Sequence, residues 1–173
     1  MQGSISVKVT IIAVGKIKEK YWKEALAEYL QRLSAFAKVE VVELRERDAH
    51  ADTPERIQAA EGEDILKRLH SLQKGSGKGR GGSNRQLIAL DARGKQRSSE
   101  ELSEHFDQLK LRGTSSLTFI IGGSHGLSPE VMTYVDESLS FGAQTWPHNM
   151  ARVMLAEQLY RAFAISNNHP YHK

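Results

Sequence analysis

The chain has 173 residues, a formal net charge of +3 and no cysteine. That length suits one domain built on one core, and the missing thiols exclude disulfide scaffolds, cysteine nucleophiles and cysteine-ligated zinc. No apolar run approaches the roughly 18 residues that span a bilayer. Met1 to Ser6 has no basic or long apolar stretch, so the expectation is a cytoplasmic globular domain without membrane contact.

Val7 to Val14 (VKVTIIAV) is short, β-branched and closed by Gly15, which predicts a buried strand. From Lys18 to Leu33 the apolar residues Tyr21, Trp22, Leu26, Tyr29, Leu30 and Leu33 recur at helical spacing. Val39 to Leu44 reads as a second strand. Thr53 followed by Pro54 then opens a helix, threonine suiting the cap and proline the first helical position.

Lys74 to Asn84 holds five glycines in eleven residues, so it reads as a flexible loop that cannot build core. Gly77, Gly79 and Gly82 satisfy a G-x-G-x-x-G spacing, but they follow a helix and precede the strand Gln86 to Leu90. A dinucleotide fingerprint needs the reverse order. Between Lys74 and Arg97 stand seven Lys/Arg against the single acid Asp91. Such a cluster is either a solvated loop or the footprint of a polyanion.

Ser98 and Glu101 form a capping-box signature for a helix with Leu102, Phe106 and Leu109. Leu117 to Ile121 predicts a fourth strand ending in Gly122-Gly123, Ser128-Pro129 another helix start, and Ser138 to Phe141 a short fifth strand. Met150 to Ile165 is helical with an apolar surface wide enough to suggest burial on more than one side, as at a subunit interface. The alternation predicts a single-domain α/β fold, a mostly parallel sheet with helices on both faces.

Ligands of such sheets sit beyond the carboxyl ends of the strands. Three segments therefore become candidate site loops: Leu90 to Lys95, Ile121 to Gly126, and Phe141 to His148. The glycines at 122, 123 and 126 serve a tight turn or the close approach of a ligand. Phe141 to Trp146 reads as a clamp for a flat ring, or as a loop pinned by Trp146 and Pro147. His169 and His172 are three apart but lack a flanking carboxylate or thiol, so no metal is expected.

VTIIAVGKIKEKYWKEALAEYLQRL, EGEDIL at 61–66, LDARGK at 90–95, FIIGGSHGLS at 119–128, LSFGAQTWPHNMARVMLAEQLYRA at 139–162 and the terminal NNHPYHK occur together in this order. With these motifs the chain resembles the ribosomal RNA large subunit methyltransferase H family of the SPOUT superfamily, from about Val7 to Lys173. The resemblance implies a C-terminal trefoil knot, a homodimer, S-adenosylmethionine as methyl donor, and N3 of a pseudouridine in 23S rRNA as acceptor. By motif match it implies cofactor contacts at Leu90, Gly122, Phe141, Gly142, Ala143, Gln144, Thr145 and Trp146. Arg152, Tyr171 and His172 become the expected substrate-side residues, with Lys173 beside them. Residues 1–6 then stand as a short N-terminal extension to a methyltransferase domain at 7–173. The basic loop at 74–84 is longer than the family leads one to expect. A non-catalytic RNA-binding module and a small-molecule nucleotide enzyme are the alternatives, and only methyl transfer requires the cofactor strand ends to be intact.

Overall fold

The computed structural model describes residues 7–74 and 84–172, with Lys74 described in its backbone only. Ten elements alternate along the chain: β1 (Val7–Val14), α1 (Lys20–Leu33), β2 (Ala37–Leu44), α2 (Pro54–Lys74), β3 (Arg85–Gln96), α3 (Ser99–Leu111), β4 (Ser116–Ile121), α4 (Pro129–Tyr134), β5 (Glu137–Ser140) and α5 (His148–Ser166). The basic glycine-rich loop and the N-terminal extension fall outside the described residues, apart from Lys74 and Asn84.

All five strands run parallel in the order β2-β1-β4-β3-β5. Parallel pairing buries both faces, and the side-chain alternation of β1 shows how they are filled. Val9, Ile11 and Ala13 point to one face, where they meet Leu33 of α1, Phe106 of α3 and Leu155 and Leu159 of α5. Ile12 and Val14 point to the other, against Ile65 and Leu69 of α2 and Val131 of α4. The expected two-sided α/β architecture is thus met, with three helices on one face and two on the other.

Local signals account for the boundaries. Ser98 accepts from Glu101 N–H while Glu101 accepts from Ser98 N–H, a complete capping box. Ser128 caps α4 by accepting from Val131 N–H, with Pro129 behind it. Two elements differ from expectation in ways that matter for the site. β3 runs on to Gln96, because its pairing with β5 breaks between Leu90 and Lys95 and then resumes. Gly94 makes this passage possible: a Cβ there would lie 2.8 Å from the backbone of Ser138 and 2.9 Å from that of Leu139.

The broad apolar surface of α5 is the second difference. Much of it is covered within the chain, by Ile17 and Leu26 on one side and by Phe106, stacked on Phe163 at 5.9 Å, on the other. Its width therefore has an account that needs no partner subunit.

Candidate active site

The carboxyl ends of β3, β4 and β5 open into a cleft of about 530 Å³, a volume suited to a small organic ligand. One wall is Leu90, Asp91 and Ala92, where β3 bulges away from β5. A second is the glycine turn after β4. The third is the loop from Phe141 to Pro147 that leads into α5, with His148 and Ala151 of that helix at its end. Of the eight expected cofactor positions, Leu90, Gly122, Phe141, Gly142, Gln144, Thr145 and Trp146 line this cleft. Ala143 is exposed beside it and does not contribute to the lining.

Ser140 joins two walls. Only 4% exposed, its hydroxyl accepts from Gly142 N–H at 3.0 Å and directs its proton toward the carbonyls of Ala92 at 2.9 Å and Gly142 at 3.0 Å. Gly142 itself takes φ +118°, a conformation that disfavours any side chain. Asp91 is fastened to Arg93 by two side-chain bonds, at 2.9 and 3.0 Å, and by Arg93 N–H. That guanidinium holds the Asp91 carboxyl below the usual range despite partial burial.

The glycine turn is shaped from behind. A Cβ on Gly122 would lie 2.7 Å from the Gly126 carbonyl carbon, so glycine at 122 serves the turn itself rather than only making room for a ligand. A Cβ on Gly123 would lie 2.7 Å from Glu61 Oε2. Glu61, on α2, is 2% exposed, accepts from Arg47 N–H at 2.9 Å through Oε1, and leaves Oε2 buried without a partner among the described residues. Burial pushes its carboxyl above the ordinary range, with the nearby Glu46 acting in the same direction and Arg47 N–H opposing. Gln58 donates to the His125 carbonyl at 2.8 Å and Ser124 to Glu46 at 3.1 Å. Gly62, next to Glu61, lets α2 lie directly on Ser128, whose hydroxyl a Cβ would strike. Sequence reasoning placed EGEDIL within a motif but did not single out Glu61 or Ser140. Glu61 lies in a helix of ordinary amphipathic pattern, and no local signal marks a buried acid there.

The three expected substrate-side residues lie elsewhere. Arg152 is fully buried: one guanidinium nitrogen donates to Glu43 Oε2 at 2.7 Å and another to the Gly15 carbonyl at 3.0 Å. Glu43 Oε2 also accepts from Ile17 N–H at 3.0 Å. In this chain Arg152 therefore clamps the β1–α1 turn to α5 and does not present itself to an RNA phosphate or base. Tyr171 and His172 are held against α5 rather than frayed. Asn168 turns the chain with φ +55°, and Tyr171 packs its ring 4.6 Å from that of Tyr160. The Tyr171 hydroxyl donates to Glu157 at 3.1 Å, and the Arg161 guanidinium lies 4.7 Å from its ring. His172 bridges Arg161 at 3.2 Å and Glu100 at 2.7 Å. None of the three lines the cleft of its own chain, and Lys173 is outside the described residues. Among the described residues no cluster of three metal-ligating side chains occurs.

A parallel sheet with a cleft walled by a glycine turn and by Phe141 and Trp146 at the strand carboxyl ends has the arrangement in which α/β folds bind their ligands. The family model described as predicted SPOUT methyltransferase matches residues 7–172, and the chain belongs to that family. Ribosomal RNA large subunit methyltransferase H of Carboxydothermus hydrogenoformans is 46% identical over 172 residues, covering 96% of this chain and 100% of its own. The protein of the same name from Bacillus thuringiensis is 46% identical over 169 residues, with the same coverage. Among solved structures, a probable methyltransferase from Bordetella pertussis superimposes with a TM-score of 0.54 at 15% identity, covering 92% of this chain and 96% of that one. AviRb, a SpoU methyltransferase from Streptomyces viridochromogenes solved with AdoMet, gives 0.50 at 13% identity, covering 95% and 60%. These structural likenesses show the fold.

Proposed function

We propose that this protein transfers a methyl group from S-adenosylmethionine to N3 of a pseudouridine in 23S rRNA of the large ribosomal subunit, acting in the cytoplasm as a homodimer. The observation that carries this reading is the cleft: seven of the eight positions expected to hold the cofactor line one cavity. The chain around that cavity is 46% identical, over the whole length of the relative, to proteins named as large-subunit rRNA methyltransferases. A related fold solved with AdoMet supports the choice of donor.

The donor supplies an electrophilic methyl on a sulfonium, so the protein's task is alignment. Leu90, Phe141 and Trp146 provide apolar surface for a flat ring, and Gly122 and Gly142 leave the main chain open to its close approach. Ser140 fixes the two walls between which such a ligand would lie. Tyr171 and His172, packed on α5 and away from their own cleft, fit a substrate role only if a second copy brings them to the partner's cleft, in keeping with the homodimer.

The test combines calorimetry of S-adenosylmethionine binding with methylation of large subunits or whole ribosomes lacking the modification, followed by nucleoside mass spectrometry. Saturable binding and a new N3-methylpseudouridine are expected. Binding without any methylated nucleoside would overturn the assignment of activity, and a methyl group on another base would overturn the assignment of the acceptor.

A further inference from the structure

We infer that the turn between β1 and α1, with the first turn of α1, is a contact surface for the RNA flanking the target base; this rests on the function proposed above. The turn borders the cleft. A Cβ on Gly15 would lie 3.5 Å from Nε2 of His148, a cleft-lining residue. Glu19 accepts from Asn149 at 3.3 Å, and Arg152 holds the Gly15 carbonyl. Any polynucleotide feeding a base into the cleft from this side must cross this rim.

The rim has the chemistry for that. Lys16, Lys18 and Lys23 are exposed and form no ion pair with any described residue, while Lys20 is tied to Glu24 at 3.5 Å. Of the acids close by, Glu43 is paired with Arg152 and also accepts from Ile17 N–H. Glu46 and Glu19 bond only the neutral Ser124 hydroxyl and Asn149 amide and keep their charge, so the three lysines still outnumber them. Between the lysines Tyr21 is 63% exposed, its ring 5.3 Å from that of Trp22. A large ring left in water beside free ammonium groups suits an unpaired base stacked between phosphates, the mode by which looped RNA is held. Charge favours this partner over an apolar protein surface, because bringing three unpaired lysines under protein would cost desolvation without return.

The experiment replaces Lys16, Lys18 and Lys23 together by Gln, and Tyr21 by Ala separately. Binding to unmodified large subunits is measured from about 50 to 300 mM salt, beside S-adenosylmethionine affinity and sedimentation. A control variant changes Lys38, Lys110 and Arg112, at the amino ends of the strands and away from the cleft, to Gln. The triple variant should lose about two units of the log–log salt slope, from about 0.7 to 0.9 per phosphate contact. Tyr21→Ala should weaken binding about tenfold. Cofactor affinity, sedimentation and the control should match the wild type. An unchanged slope in the triple variant overturns the inference, as does a change of oligomeric state at unchanged RNA affinity, which would make the patch a protein interface. If the wild type itself fails to bind or methylate the subunit, it is the proposed function that falls, so the two failures are distinct.

Discussion

Replacing Arg152 by Met separates a clamp from a substrate contact. The guanidinium is wholly buried and bonded to Glu43 and to the Gly15 carbonyl, while the Glu43 side chain keeps 34% exposure. Breaking a buried pair costs about 3–5 kcal/mol, because the remaining charge stays behind without its partner. Glu43 can still be reached by water and retains Ile17 N–H, which places the loss near the lower end, about 3 kcal/mol. For a chain of this length that corresponds to a fall in Tm of about 6–12 °C. Removing both charges in Arg152→Met with Glu43→Gln should return part of the loss, a coupling of about 1–3 kcal/mol in the double-mutant cycle. Thermal unfolding by circular dichroism gives the stability, and calorimetry well below the transition should show S-adenosylmethionine affinity within about threefold of wild type, since Arg152 does not line the cleft. If Arg152→Met melts with the wild type yet loses methyl transfer, the clamp is wrong and Arg152 touches substrate.

Ser140→Ala leaves Gly142 N–H without its acceptor and the Ala92 carbonyl without its donor, a cost of about 1–3 kcal/mol. Because both groups hold cleft walls, S-adenosylmethionine affinity should fall about tenfold, the equivalent of about 1.4 kcal/mol; unchanged affinity would remove Ser140 from the site. Glu61→Gln tests the buried acid. The folded protein binds the Glu61 proton more tightly than the unfolded chain does, so the penalty for its charge grows as pH rises from about 4.3, the ordinary value, through the raised one. The Gln variant should therefore be the more stable at pH 8 in denaturant titrations, with the gap closing toward pH 4, and a less stable variant at pH 8 would refute the account. Deleting Tyr171 to Lys173 removes the Tyr160 and Arg161 packing and should lower Tm by a few degrees, about 1 kcal/mol of aromatic and cation–π contact. Cofactor binding should stay normal while methyl transfer drops at least about a hundredfold, and wild-type turnover by the truncated protein would reduce the tail to a structural strap.

The strands and helix starts were legible because their signals are local. β1 and β4 are short β-branched runs bounded by glycine or polar turns, and the Ser98–Glu101 box lies within four residues. The overrun of β3 was not legible: Asp91 to Gly94 is polar and shows no alternation, and its path depends on Gly94 passing the backbone of β5, more than forty residues later. The strand ends that wall the cleft were legible because ligands of parallel sheets gather there, while the individual positions expected within them came from the motif match. The supports behind those positions were not legible. Glu61 meets Gly123 and Arg152 meets Gly15 across more than sixty and more than one hundred residues, distances at which no periodicity speaks. The anchoring of the tail was not legible for a related reason, since Tyr171 and His172 are held by Glu157, Arg161 and Glu100 through polar contacts rather than an apolar pattern.

The strand order carries a consequence for how the chain is made. β4 lies between β1 and β3, so a nascent chain that has already paired β1 with β2 still offers one edge of β1 with its N–H and C=O groups unpaired, and β3 has no neighbour at all until residues 116–121 emerge. Pairings of such sequence separation are slow, and unpaired parallel edges are where partly made chains associate wrongly. The cleft closes only after β5 and the first turn of α5 have followed. The cleft is thus completed late: a chain interrupted before residue 148 holds all five strands, which end at Ser140, but lacks the His148 and Ala151 wall of the cleft and the cover that α5 gives one face of the sheet.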